Sequence, residues 1–406
     1  MFVDDRPCST LRPCSLNYAL LRRTDVLPIL LRTKGELFGA EYLAATAGYL
    51  QFWVDTTHDV AAEAGRFRRW CLGQDLDPAH FCCVTEPRQE FWQAFARACG
   101  LPGLPPDVAR ALRNKPAMKD RIRASGFRTA EYAVAANLPA VLAFAKRHGY
   151  PVVLKPVDGW GALATHLVLN QEEANKLGHL FGRFEMMVET YVPYREFECC
   201  ALIANGRVLD IYPSILPTAP IDVAKGGLNA NISMGRCRNR IPVPNLHGTV
   251  QRLVDGFRLP HGYLHMELFV SEDGTHSMIS ELALRYPGCE IAKNHAYAYG
   301  FDIASATIDL YLGRVPELNY KKLRSAGDLL LPYSPGRVTH VTTPGELRRL
   351  PGVREAHVGV RPGDILPEVD EASFNCSGWV IVEGHDPDEV EDRMRTVLST
   401  YELFTT

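Results

Sequence analysis

Two glutamates on neighbouring segments have the side-chain type and spacing to hold a divalent cation. Residues 263–270 and 277–285 each alternate apolar and polar side chains, and a turn sequence around Gly274 joins them, so we expect a β-hairpin. If the turn centres on Gly274, Glu267 on one strand lies directly across from Glu281 on the other. Facing carboxylates destabilise a sheet unless a cation lies between them, and hard divalent ions prefer oxygen ligands. The pair predicts a Mg²⁺ or Mn²⁺ site; the alternative is that both glutamates point to solvent.

Two other side chains share that face of the hairpin. His265 precedes Glu267 by two residues, and Arg285 follows Glu281 by four. The guanidinium fork binds both oxygens of a carboxylate or phosphate, so Arg285 is a candidate catalytic residue, although a lone arginine is more often a surface residue. His265 is a candidate for hydrogen bonding to phosphate or substrate, and packing beside the hairpin is an equal alternative.

A lysine and a glycine-rich turn lie upstream of the hairpin. Lys155 ends an apolar segment and is followed by Gly159-Trp-Gly161-Ala-Leu-Ala164. This spacing imitates the dinucleotide fingerprint, but residues 165–169 alternate like a strand where that fingerprint requires a helix. A glycine loop between two strands, preceded by an ammonium group, instead favours a flap that folds over a triphosphate. An ordinary hairpin is the alternative.

The polar positions of the chain follow one another in the order of one enzyme superfamily. They are Asn114-Lys115, Lys155 with its glycine loop, Val188-Glu-Thr-Tyr-Val192, Glu196, Glu267, Glu281 and Arg285. With this order the sequence resembles the ATP-grasp superfamily over about residues 80 to 400, and within it the carboxylate-amine ligases of the L-amino-acid ligase type.

The resemblance implies a role for each residue of this set. Lys115 and Lys155 would contact the phosphates of ATP, and Lys155 would also be a catalytic residue. Gly159 and Gly161 would form the loop that covers the phosphates. The remaining ligands would be Glu189, Thr190 and Val192 at the adenine, Glu196 at the ribose, and Glu267 and Glu281 at the metal ion.

The sequence departs from the family pattern at two places. The family loop usually reads GxGSxGV, and here Ala162 and Ala164 replace the small polar residue and the third glycine. The second metal strand usually reads Glu-x-Asn-x-Arg, and Ala283 stands here in place of the asparagine, so a water or a substrate oxygen would complete the metal shell. One basic side chain is expected to contact the γ-phosphate, and the sequence does not say which of Lys225, Arg236 and Arg238 it is.

Capping signals and periodicity indicate the elements that position these residues. Asn114 is the expected N-cap of a helix that ends at Ser125, and Asn137 that of a helix that stops at Gly149. The other expected elements are strands at 26–31, 50–54, 81–84, 151–155, 165–169 and 379–382, helices at 90–99 and after a capping box at Asp386, and an irregular functional loop at 213–245.

The resemblance implies an α/β (α+β) fold in which ATP is held between two α+β subdomains. A Rossmann-like pre-ATP-grasp domain would cover residues 1–105, and the ATP-grasp domain would cover 106–325 with its lid at about 127–188. A small C-terminal α+β subdomain would cover 326–406.

Composition excludes several classes of protein. The 406 residues are 22% charged and 46% hydrophobic, with a formal net charge of -3, which excludes a disordered chain and offers no general field for nucleic acid or an anionic membrane. Eleven cysteines include no CxxC pair, so reduced and mostly buried thiols are expected. An acidic N-terminus and the lack of a long apolar run predict a cytoplasmic protein.

These observations predict an ATP-dependent ligase with small-molecule substrates. The resemblance implies that ATP phosphorylates a carboxylate, that an amine attacks the acyl-phosphate, and that ADP and phosphate leave, in the biosynthesis of amino-acid-derived or natural products. Three alternatives stay open, which are acyl transfer to a carrier-protein thiol, a bicarbonate-using carboxylase, and a non-catalytic ATP-binding regulatory module. The oligomeric state is also open, a homodimer included.

Overall fold

The N-terminal part of the computed structural model is a small parallel sheet covered by helices. The structure describes residues 1–4, 15–86, 88–225, 227–369 and 375–406. The strands lie in the order β1 (Phe2–Val3), β2 (Ile29–Thr33) and β3 (Leu50–Val54). The helices are α1 (Leu16–Leu21), α2 (Ala40–Thr46), α3 (Val60–Gly73), α4 (Gln89–Ala98) and α5 (Pro106–Ala111).

Two of the strands predicted for this part need correction, whereas β3 and α4 lie where the sequence places them. The strand expected at 26–31 begins only at Ile29, because Pro28 has no N–H group to donate to a ladder. The strand expected at 81–84 is wrong. Only Cys82 forms a bridge there, to β1, because β1 offers just two residues for pairing.

An antiparallel four-stranded sheet follows in the chain, and we name it the lid after the segment predicted at about 127–188. Its strands lie in the order β4 (Tyr132–Ala135), β7 (Met186–Thr190), β5 (Val152–Pro156) and β6 (His166–Val168). The nearby helices are α6 (Lys115–Ala124), α7 (Leu138–His148) and α8 (Gln171–Lys176). Both predicted N-caps are confirmed, because Asn114 and Asn137 each accept a hydrogen bond from the backbone N–H three residues on. The glycine loop joins β5 to β6, as the strand-loop-strand pattern predicts.

The largest unit is an antiparallel sheet of eight strands, the central sheet. In sheet order the strands are β12 (Ser277–Leu284), β11 (Gly262–Val270), β8 (Arg195–Ala204), β9 (Arg207–Ile215), β10 (Ala230–Ser233), β13 (Ser325–Leu331), β17 (Gly378–Gly384) and β15 (Val353–Val358). A hydrophobic core lies on each face. Side chains of α6, α9 (Leu246–Phe257) and α13 (Pro387–Thr400) pack on one face, and those of α10 (Ile291–Tyr299) and α11 (Ile303–Tyr311) on the other.

The C-terminal segment contributes three strands to this central sheet. β13 pairs with β10, β17 pairs with β13, and α13 begins after the predicted N-cap Asp386. A small separate sheet has the order β16 (Ile365–Leu366), β14 (Gly336–Val341) and β18 (Leu403–Thr405), with α12 (Pro344–Leu347) beside it.

The prediction of one irregular loop at 213–245 is partly wrong. β9 runs on to Ile215, and β10 lies inside the predicted loop. β10 is held by pairing with β9 on one side and with β13 on the other. Because β13 is almost a hundred residues away in the chain, local pattern could not reveal this pairing. Within the described residues, no helix has the length and apolar character needed to cross a membrane.

Candidate active site

A cavity of about 210 Å³ lies between the lid and the central sheet. α6, β5, the glycine loop and β7 line it on one side, and β8, β11 and β12 line it on the other. Apart from His265 and the three candidates for the γ-phosphate cation, the sequence-predicted site residues all line this cleft, namely Lys115, Lys155, Gly159, Gly161, Glu189, Thr190, Val192, Glu196, Glu267, Glu281 and Arg285.

The two acidic residues of the hairpin face each other as predicted. In the ladder between β11 and β12, Glu267 pairs with Glu281, and His265 pairs with Ala283. A β-bulge follows directly after Glu267. Both carboxyl groups line the cleft, so the alternative in which they point away to bulk solvent is wrong.

The donor set of this pair fits a hard divalent cation. Burial and, second to it, the nearby Glu267 carboxylate raise the pKa of Glu196 well above its ordinary value. Burial alone would raise the pKa of Glu281, but the ammonium groups of Lys115 and Lys155 hold it below its ordinary value. Ionised carboxylate oxygens on one face are ligands that Mg²⁺ accepts. Glu267 and Glu281 could therefore hold Mg²⁺.

The lysines of the cleft are paired with these and other carboxylates. The Lys115 ammonium lies 3.0 Å from a Glu281 oxygen and donates to the Gly159 carbonyl at 2.7 Å. The Lys155 ammonium lies 2.6 Å from one Glu189 oxygen, and the Lys119 ammonium lies 2.9 Å from the other. A triphosphate entering the cleft would therefore meet ammonium groups that are already held in place.

Lys119 is a residue whose role the sequence reasoning missed. It lies one helical turn after Lys115 on α6, and its side chain is only 2% exposed. Burial opposes ionisation of Glu189, yet Lys119 and Lys155 hold the pKa of that carboxyl at about 2. The Glu189 side chain thus fixes two lysines, in addition to the backbone role that the resemblance implies for it. The four-residue spacing of the lysines was the available signal.

The glycine loop carries backbone strain at its two alanines. Ala162 and Ala164 have φ of 56° and 51°, in the left-handed region. That region costs an L-residue about 1–2 kcal/mol, whereas glycine occupies it freely. The loop is tied down at one end, because the Arg113 guanidinium donates to the Asp158 carbonyl and lies over the Trp160 ring at 5.7 Å.

Arg285 reaches the cleft from the end of β12 and is paired with the N-terminal part. Its guanidinium forms an ion pair with Glu86, which also pairs with Arg113. Burial lowers the pKa of Arg285 to about 10. The contact between Glu86 and Arg285 was missed from sequence.

His265 lies beside Glu267 on the same face of β11 but does not line the cleft. Its Nδ1 is 2.7 Å from Oε1 of Glu198, and its Nε2 is 3.3 Å from Oε1 of Glu267. Burial alone would lower the pKa of His265, but Glu198 raises it well above its ordinary value. With both ring nitrogens occupied, the placement favours packing and positioning of Glu267 over direct contact with phosphate. Glu198 was missed from sequence.

The three candidates for a γ-phosphate cation give no clear assignment. The Arg238 guanidinium donates to both carboxylate oxygens of Asp210 at 2.9 and 3.0 Å. Arg236 contacts His385 at the surface. Neither arginine lines the cleft, and the side chain of Lys225 lies outside the described part of the structure.

The cysteines of the described residues are all free thiols. Eight of the nine are buried or partly buried, as expected, and Cys289 is exposed. Cys8 and Cys14 lie outside the described residues.

Comparisons with known proteins point to one enzyme group. Residues 329–403 match the family model of the L-amino acid ligase C-terminal domain 2. An L-arginine-specific L-amino acid ligase of Bacillus subtilis is 24% identical over 317 residues, which are 76% of this chain and 75% of that protein.

Solved structures share the fold over almost the whole chain. An L-amino acid ligase from Bacillus licheniformis matches with a TM-score of 0.77 and 18% identity, covering 100% of this chain and 98% of that one. An N5-carboxyaminoimidazole synthetase from Staphylococcus aureus, complexed with ADP, matches with a TM-score of 0.67 and 12% identity, covering 98% of this chain and 96% of that one. These matches confirm the predicted α/β fold.

Proposed function

This chain has the ATP-grasp fold of the carboxylate-amine ligases, and on that basis we propose that it uses ATP to join a carboxylate to an amine. One observation carries the proposal. The cleft sets Lys115 and Lys155, the facing pair Glu267 and Glu281, and Arg285 around one space. A nucleotide-binding module without catalysis would use the facing carboxylates for Mg²⁺ but would have no need of a guanidinium beside them.

The lid side of the cleft binds and orients ATP in this proposal. Lys115 and Lys155 contact the phosphates, and the backbone of the glycine loop covers them. Thr190 and Val192 contact the adenine, and Glu196 holds the ribose. Glu189 keeps Lys155 charged, because burial would lower the pKa of that ammonium and the carboxylate raises it above its ordinary value.

The sheet side of the cleft holds the metal ion and the reacting acid. Glu267 and Glu281 would hold Mg²⁺, which when bound neutralises charge on phosphate oxygens. Lys115 neutralises Glu281 in the structure, so a cation beside Glu281 would free that ammonium for the phosphates. Arg285 orients the carboxylate through its two-donor fork.

The reaction follows from these positions. A carboxylate oxygen of the acid attacks the γ-phosphorus, the bond to ADP breaks, and an acyl-phosphate forms. The nitrogen of the amine then attacks the acyl carbon, phosphate leaves, and the amine loses a proton. Lys155 and Arg285 stabilise the negative charge that builds up in both steps. We propose amino acids as acid and acceptor, supported by the likeness to L-amino acid ligases; a carrier-protein thiol is the alternative acceptor.

A phosphate-release assay with pooled amino acids tests this function. We expect ADP and phosphate to appear only when amino acids and Mg²⁺ are present, and a hydroxamate to form when hydroxylamine replaces the acceptor. AMP in place of ADP would contradict acyl-phosphate chemistry. ATP binding without turnover on any acid would instead support a non-catalytic module.

A further inference from the structure

Three side chains with different donor atoms meet beside the cleft, on the face of the central sheet that carries Glu267. Glu198 and Cys200 lie two residues apart on one face of β8, and His265 lies directly opposite Cys200 on β11. Nδ1 of His265 is 2.7 Å from Oε1 of Glu198, and Sγ of Cys200 is 3.5 Å from that oxygen and 3.9 Å from Nδ1. All three residues are buried.

These separations are close to those of a tetrahedral metal shell. Zinc bonds of about 2.0–2.3 Å to nitrogen, oxygen and sulfur require ligand atoms about 3.3–3.5 Å apart. The Glu198–Cys200 distance already fits, and the other two need changes of about half an ångström. Thiolate and imidazole select zinc-type ions, whereas the carboxylate pair of Glu267 and Glu281 selects a hard ion.

The groups around the cluster are arranged as outer-shell partners of a metal site. Nε2 of His265, the nitrogen that faces away from the cluster, lies 3.3 Å from the Glu267 carboxylate. The amide nitrogen of Asn231 donates to Oε2 of Glu198, which leaves Oε1 directed at the cluster. Metal-binding histidines and carboxylates are usually oriented in this way by a second hydrogen bond.

We propose that Glu198, Cys200 and His265 form a binding site for a zinc-type divalent ion, separate from the carboxylate pair of the hairpin. The ion would take the place of the proton between His265 and Glu198, and a water molecule would provide the fourth ligand. Ions would enter through the cleft, because Glu267 lines the cleft and its carboxylate lies 3.3 Å from Nε2 of His265. The site does not depend on the proposed ligase reaction.

Titration of the metal-free, full-length protein with Co²⁺ in the presence of excess Mg²⁺ tests the proposal. We expect one equivalent of Co²⁺ to give a thiolate-to-metal charge-transfer band and the visible bands of a tetrahedral ion, and Zn²⁺ to remove both. Mg²⁺ fills the hard site and should leave these bands unchanged. The absence of a charge-transfer band from the wild-type protein would overturn the proposal.

Matched cysteine variants identify which thiolate binds the ion. Cys200→Ser should lose the charge-transfer band, whereas Cys199→Ser should keep it, because the neighbouring side chain packs in the core on the opposite face of the sheet. Asn231→Ala should keep the band and weaken Co²⁺ binding about 10- to 100-fold. A band that persists in Cys200→Ser and disappears in Cys289→Ser would show binding to the exposed thiol and overturn the site. Thermal melting of each variant verifies that it is folded.

Discussion

At the scale of single residues, the Glu189 carboxylate pairs with two lysines on the side of the cleft that we propose binds phosphate. Lys119 and Lys155 both pair with it, but only Lys155 lines the cavity. Substitution of each lysine in turn can therefore separate contact with ATP, expected of Lys155, from structural support, expected of Lys119.

We expect Lys155→Met to abolish ATP turnover and Lys119→Met to retain it. Both variants should lose stability, but by less than the roughly 3–5 kcal/mol seen when a buried charge loses its only partner, because Glu189 keeps one lysine in each. ADP release and urea unfolding measure the two effects. Normal turnover in a folded Lys155→Met protein would contradict the phosphate role.

The depressed pKa of Glu189 predicts how stability depends on pH. The folded pKa of about 2 lies below the ordinary value of 4.5, so the unfolded chain binds the proton first on acidification. The contribution of this carboxylate is fully present above about pH 4.5 and is lost as the pH falls towards 2. At about 1.4 kcal/mol per pH unit it amounts to roughly 3 kcal/mol. Urea unfolding of the wild type and of Glu189→Gln across this pH range measures the effect. The free energy of unfolding should fall less steeply on acidification in the variant.

The two-donor guanidinium fork of Arg285 predicts that its substitution affects the kinetic constants for the acid and for ATP differently. Arg285→Lys keeps the positive charge but loses the two parallel donors, so we expect a large fall in kcat/KM for the acid and little change in the KM for ATP. Steady-state kinetics with each substrate varied in turn measures this. A rise confined to the KM for ATP would place Arg285 at the nucleotide instead.

At the scale of elements, the glycine loop is short, tethered and strained. Ala164→Gly should relieve the left-handed strain and stabilise the protein by up to about 1 kcal/mol, since the added freedom of the unfolded chain offsets part of the gain. Ala143→Gly, on the exposed side of helix α7 in the same lid, should destabilise by about 1 kcal/mol. Urea unfolding midpoints compare the stabilities of the two variants. If both variants lost the same amount of stability, the loop would not be strained.

Elements with local signals were predictable from the sequence, and contacts between distant segments were not. The N-caps at Asn114 and Asn137 depend on residues three positions apart, and the facing pair Glu267 and Glu281 depends on one tight hairpin. Glu198, in contrast, belongs to the site because β8 lies beside β11, some 60 residues later. No local pattern encodes that neighbour.

At the scale of the whole molecule, Glu86 connects three parts of the chain. It comes from the N-terminal part and pairs with Arg113 before α6 and with Arg285 after β12. All three side chains are largely buried. The N-terminal part therefore helps to hold Arg285, the arginine that we propose faces the reacting acid.

We expect Glu86→Gln to destabilise the protein by about 3–5 kcal/mol, because two buried guanidinium groups lose their anion. Glu36→Gln removes an exposed pair with Arg88 in the same part of the chain and should cost less than about 1 kcal/mol. Urea unfolding compares the two variants. Equal stability losses would show that Glu86 does not organise the arginines.

The strand order of the central sheet also has a consequence for synthesis on the ribosome. β10 is complete at Ser233, but its free edge is covered by β13, which ends at Leu331, and the other edge of β13 is covered by β17, which ends at Gly384. At about 5–20 residues per second, the ribosome needs roughly 8–30 s to make the chain between Ser233 and Gly384. During that interval the nascent sheet has an open edge able to pair with other strands, which favours aggregation. Chaperone demand should therefore peak late in translation, after the nucleotide cleft residues have already emerged.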